Sequence, residues 1–163
     1  MSRVDTQKFA AGDQRIDRLH AAASACDSAT SADRALDAVI ALAVFPGLAC
    51  LARVETGVWQ HADGARIRVL RYTSNRSAAT TLVPPGHWIE ADPAKSDRVW
   101  IYGPLPGLSA SSSNPCPALA LSAAALRAQA QLRMRCLAGF GDPQARDIKT
   151  VDRKNNPSAR EAP

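Results

Sequence analysis

Apolar positions along this chain switch between two spacings, and the switches mark out its elements. Leu36, Val39, Ile40, Ala43 and Val44 recur at i, i+3, i+4, i+7 and i+8, which puts them on one face of a helix. Thr30 or Ser31 can cap that helix, and Asp33 adds a carboxylate at the positive end of its dipole. Pro46 cannot continue it, and Gly47 permits a reversal. From Leu48 the spacing falls to two, with Leu48, Cys50, Ala52 and Val54 alternating onto one side of a predicted strand. An earlier helix is predicted over 13–26, where Ile16, Leu19, Ala22, Ala23 and Cys26 share a side. The turn-prone run DSATSAD separates the two helices.

Further on, VWQHA and ARIRVLRY flank Asp63-Gly64, the preferred pair for a two-residue type I′ hairpin. Such a turn sets Val58 opposite Val69, Trp59 opposite Arg68, Gln60 opposite Ile67 and His61 opposite Arg66. Val58, Ile67 and Val69 then suit a core, while Trp59, His61, Arg66 and Arg68 share the other face. TTLV reads as a short strand that Pro84-Pro85-Gly86 must end. HWIEADPAKSD reads as a connection whose Trp88 and Ile89 are pinned to the core, and RVWIY as a strand closed by Gly103-Pro104. The Gly-, Pro- and Ser-rich stretch 103–117 is predicted to be irregular, and loops of that length are usually functional or mobile.

The longest predicted helix covers 118–137 and carries two apolar stripes. Leu119, Ala123, Leu126, Ala130, Met134 and Leu137 form one, and Leu121, Ala125, Ala128, Leu132 and Cys136 the other, nearly opposite. A helix lying on one sheet needs a single stripe. The second must be covered by the 13–26 helix or by a partner, a second copy included, so Leu121 and Leu132 are the candidate partner contacts. Between the stripes lie two polar edges, Arg127, Gln131 and Arg135 on one and Ser122, Gln129 and Arg133 on the other.

Length adds that 163 residues suit one domain, and 46% hydrophobic content, much of it alanine, implies an economical core. Residues 1–12 read as a flexible leader, 13–140 as a single α+β domain and 141–163 as a disordered tail with no periodicity and few apolar residues. Net charge is +5, and lysine occurs only at 8, 95, 149 and 154, so arginine dominates the basic residues. Arginine favours bidentate contacts with phosphate or carboxylate, although coding bias also accounts for an Arg- and Ala-rich chain. No apolar run reaches the length of a membrane span, and the N-terminus lacks a secretory apolar centre, which points to the cytoplasm. Cys26, Cys50, Cys116 and Cys136 lack metal-ligand spacing and are expected to be free and mostly buried. No cofactor or metal is expected.

Two groups of residues can be read as sites. Trp59, His61, Arg66 and Arg68 would offer an indole for stacking and two guanidiniums for an anion, giving weak polyanion binding. The plainer reading of that face is the solvated side of a ribbon. Cys116, ahead of the long helix, could act as a nucleophile with His87 or His61 as its base, but Pro115 and Pro117 flank it without a known signature. The fold expected is α+β, an antiparallel sheet of about four or five strands with helices mainly on one face. The function expected is a non-enzymatic cytoplasmic module binding a protein partner or small ligand. The alternatives are a basic nucleic-acid accessory protein using the 58–72 hairpin and a small enzyme near His87 and Cys116.

Overall fold

The computed structural model describes residues 3–139, with side chains over 14–138. Among the described residues there are four α-helices and two three-stranded antiparallel sheets. Helix α1 spans Arg3–Ser28, beginning inside the stretch read as a leader, and α2 spans Arg34–Val44. Residues 141–163 lie outside the described residues. On α1 the predicted side is the buried one: Ile16, Leu19, Ala22, Ala23 and Cys26 all enter the core.

Helix α2 is capped by Asp33 rather than by Thr30 or Ser31. The Asp33 carboxylate accepts from the Ala35 amide at 2.8 Å while its own backbone stays extended. The buried face is also rotated, for Val39 is 47% exposed and Asp37 is buried instead. Two partners make that burial tolerable: the Thr73 amide donates to Asp37 at 2.8 Å, and Arg34 pairs with it at 3.3 Å. Arg34 then donates to the carbonyls of Val69 at 2.9 Å, Leu70 at 3.2 Å and Gly57 at 3.3 Å. Gly57 has φ +73°, and a Cβ there would sit 2.9 Å from the guanidinium carbon, so this clamp requires glycine.

After α2 the expected strand is delayed. Pro46–Cys50 forms a 3-10 turn that buries Leu48, while Cys50, Ala52 and Val54 face solvent. Strand β1 (Ala52–Glu55) is exposed throughout and pairs with β2 (Val58–Gln60), which pairs with β3 (Arg66–Arg68). The β2–β3 loop has three residues, not two: the His61 amide donates to Ala65, the Gly64 amide donates to His61, and Gly64 has φ +88°. That geometry is a turn closed by a left-handed glycine. One extra loop residue moves the register by one, so Trp59 faces Ile67, Val58 faces Arg68 and Gln60 faces Arg66.

TTLV is not a strand. Asn75 accepts from the Ser77 and Ala78 amides and starts helix α3 (Arg76–Thr80), which carries the chain to Leu82 in helical turns. With no strand there, nothing joins the first sheet to the second, which explains two sheets in place of one of four or five strands. The second sheet runs β4 (Trp88–Ala91), β5 (Arg98–Tyr102) and β6 (Ser109–Ser113). Both β4 and β6 lie in stretches that read as connections.

Helix α4 (Pro117–Gly139) is the element the others share. It packs against α1, α3, β5 and β6, and every residue from Ala118 to Leu126 is buried. A helix segment apolar all round belongs inside, and the second stripe is covered within the chain at Leu121, Ala125 and Ala128 but not at half-buried Leu132 or exposed Cys136. The polar edges of α4 stitch it to its neighbours. Arg127, Gln131 and Arg135, four apart, donate to the carbonyls of Ser111 at 3.0 Å, Ser109 at 2.9 Å and Pro106 at 3.0 Å. On the opposite edge Ser122 donates to Tyr72 O at 3.1 Å and Gln129 to Leu82 O at 2.7 Å. Among the described residues no helix is long and apolar enough to cross a membrane.

Candidate functional site

RVWIY alternates as a strand with one face in and one face out. Val99 and Ile101 turn towards the core, leaving Arg98, Trp100 and Tyr102 on the outer face of the second sheet. Register brings Trp88 of β4 opposite Tyr102 and Glu90 opposite Trp100. On the other side, β6 sets Ser113, Ser111 and Ser109 opposite Arg98, Trp100 and Tyr102. The rings stack in sequence. Trp88 and Tyr102 have centroids 5.8 Å apart with planes 26° from parallel, and Trp100 and Tyr102 are 5.9 Å apart at 12°. Arg98 extends the row, its guanidinium carbon 5.9 Å from the centre of the Trp100 ring.

The result is a continuous line of Arg98, Trp100, Tyr102 and Trp88, bordered by serine hydroxyls. The chain has three Trp, two Tyr and three Phe, so a large share of its aromatic content stands on one surface. Trp88 is 53% exposed, contrary to its expected place in the core; Ile89 beside it makes the core contact. Trp100 and Tyr102 are half-buried, and burying a ring such as that of Trp88 is worth about 1.5–3 kcal/mol, so leaving it out needs a reason. This face offers π surfaces, the cation of Arg98, the carboxylate of Glu90 and serine hydroxyl groups. Groups of these kinds suit stacking, hydrogen bonding and ion pairing.

The hairpin site does not assemble. Trp59 is 2% exposed and turned inward with Ile67, whereas His61, Arg66 and Arg68 are exposed. The one-residue register change separates the indole from both arginines and removes the stacking half of that reading. Arg68 instead borders an open cleft of about 700 Å³ with Arg34, Asp37, Glu55, Arg71 and Thr73. Charges of both signs line this cleft, and Arg34 and Asp37 are already engaged with each other and with backbone. Leu121 is unavailable to any partner, and Leu132 is half-buried.

His87 and Cys116 are not brought together. His87 lies against Gly103, where a Cβ would sit 2.7 Å from Nε2, at the end of the second sheet from which β6 begins. Cys116 follows the other end of β6, its thiol 3.5 Å from Thr73 O and its amide donating to Asn114 at 2.8 Å. The strand between Leu108 and Asn114 spans roughly 20 Å at about 3.3 Å per residue. Among the described residues no three His, Cys, Asp or Glu side chains converge as a metal site.

All four cysteines are free, yet only Cys26 is buried; Cys50 and Cys136 are exposed and Cys116 is intermediate. Burial, then the charges of Asp27 and Asp37, push the Cys26 thiol from 9.0 up to about 12, while Arg127 acts the other way. Burial and Asp37 likewise raise Tyr72. Neither shift marks a reactive group, since both favour the protonated, inert form.

The chain matches no protein-family model, and no curated protein or solved structure proves similar to it. The sequence does not disclose the outer aromatic face, because Trp88 reads as a core contact and β6 as part of an irregular stretch. Its signal lay in RVWIY, whose period of two puts Arg98, Trp100 and Tyr102 opposite Val99 and Ile101.

Proposed function

We propose that the chain is a non-enzymatic, cytoplasmic binding module that presents the outer face of β4–β5–β6 to an extended segment of a protein partner. The observation that carries this reading is the row of exposed Trp88, half-buried Tyr102 and Trp100, and Arg98 at its end. Trp, Tyr and Arg are the residues that dominate binding energy at protein interfaces, where they fill pockets and shed water together. The edge strand β4 supports the same reading. Among the described residues it pairs only with β5, so its far side can take an added strand while Trp88 packs on the incoming side chains.

Peptides selected from a random library on the immobilised chain test the reading. Trp88→Ala combined with Trp100→Ala should weaken the selected peptides by more than about tenfold, the size of one interface hot spot. Arg66→Ala with Arg68→Ala should leave them unchanged. Binding should also move the tryptophan emission, since Trp88 stands in water. Selected peptides that ignore the double tryptophan variant would sink the reading. Oligo(dT) binding that requires the same rings and falls steeply with salt would instead favour a single-stranded nucleic acid.

A further inference from the structure

A groove of about 470 Å³ opens at the far side of the core, between α1, the end of α2, the α3–β4 connection and the last turns of α4. Val44, Phe45, Val83, Pro84, Leu132 and Leu137 make its walls. Phe45 is 53% exposed, although it follows directly on a buried helix. Into this apolar space come two arginines, Arg15 from α1 and Arg133 from α4. Arg15 donates to Val44 O, the end of α2, but its Nε is shut from solvent without a partner. The Nε of Arg133 is in the same condition. Among the described residues no Asp or Glu lines the groove. Burial and then the nearby charge of Arg133 lower the pKa of Arg15, the direction expected when two cations share a partly desolvated space.

Two guanidiniums held near each other, partly desolvated and with no carboxylate beside them, are unfavourable unless an anion arrives. We propose that this groove binds an amphipathic carboxylate, its head paired with Arg15 and Arg133 and its apolar body on Phe45, Val83, Leu132 and Leu137. Planar guanidinium groups match a carboxylate through parallel N–H donors, and the groove volume suits a small ligand. This site is separate from the aromatic face, and neither reading depends on the other.

Cys136 lines the groove and is exposed, so it reports on occupancy; Cys50 is exposed elsewhere and serves as control. Decanoate is the probe, with decanol as its neutral counterpart and acetate as the head without the body. Decanoate at about ten times its Kd or more should slow maleimide labelling of Cys136 by about tenfold or more, in proportion to the fraction left unoccupied, and leave Cys50 unaffected. Decanol and acetate at the same concentration should do neither. Arg133→Met should abolish protection while leaving Tm equal to or above that of the parent, because one of two repelling cations is gone. Arg133→Lys, which keeps the charge and loses the planar fork, should protect less well than the parent. The proposal is overturned if decanoate fails to protect Cys136, if decanol protects equally, or if Arg133→Met remains protected.

Discussion

Single residues carry much of what holds the helices to each other, and Asn114 is the plainest case. Its amide nitrogen donates to the carbonyls of Cys26 at 3.1 Å, Asp27 at 3.4 Å and Ala29 at 2.9 Å, while its oxygen accepts from the Cys116 amide. One buried side chain thus closes the orphan C-terminus of α1 and starts α4. Asn114→Ala should cost about 1–3 kcal/mol, the penalty for stranding buried carbonyls, as read from urea unfolding. Cys26 provides a second test through pH. Its thiol ionises near 9.0 in the unfolded chain and only near about 12 in the folded one, so the folded state holds the extra proton between those values. Stability therefore falls as pH rises through that window, by at most about 1.4 kcal/mol per pH unit from this group. Cys26→Ala should lower stability at neutral pH but flatten this alkaline decline; an unchanged slope would show that Cys26 ionises without opposition. In the folded chain Cys50 and Cys136 should react with a thiol reagent first, Cys116 more slowly and Cys26 only on unfolding.

Among the elements, β6 shows how packing overrides propensity. Its sequence SASSS has no strand-forming residue beyond one alanine pointing inward, and it forms because RVWIY offers a pairing edge and α4 covers the other side. Arg127 bonds Ser111 O and also pairs with Asp27, which accepts from Ser112 as well. The Asp27 pair is about a third exposed and so contributes little alone, which leaves the carbonyl bond as the larger part. Arg127→Ala should cost about 1–2 kcal/mol and speed amide exchange in β6 before it does so in β4. Equal acceleration in both strands would mean that the β6 edge does not rely on α4. The same logic explains what could be read in advance. The face of α1, strand β5 and the long helix were legible because their periodicity is local. The hairpin was legible in place but not in register, since Asp63-Gly64 serves a two- or a three-residue loop and only Gly64 in the left-handed region decides between them. Strands β4 and β6 were not legible, because what makes them strands is a neighbour distant in sequence. The aromatic face was lost with them.

At the scale of the whole molecule, α4 is the axis on which α1 and the second sheet meet, and the N-terminal half of its two apolar stripes is covered by the chain itself, whereas Met134 and Cys136 remain exposed. Leu121, a candidate either for cover within the chain or for a partner contact, is fully buried, whereas Leu132 borders the groove. The two leucines should therefore behave differently on truncation. Leu121→Ala should lose about 2–5 kcal/mol, a large part of the roughly 5–15 kcal/mol typical of a domain, while half-buried Leu132→Ala should lose about 1 kcal/mol. Leu121→Glu should unfold the chain at every concentration, because a carboxylate would have to enter a site with no water and no cation. A dimer interface predicts another result, a folded monomer separated from a former dimer, and sedimentation with circular dichroism on the same sample distinguishes them. Amide exchange supplies the matching signature: the amides over 118–130 should open only with global unfolding, and those of exposed β1 far sooner. If β1 and α4 exchanged together, the first sheet would belong to the same cooperative unit, and Arg34 would be joining the two halves more firmly than its one ion pair and three carbonyl contacts imply.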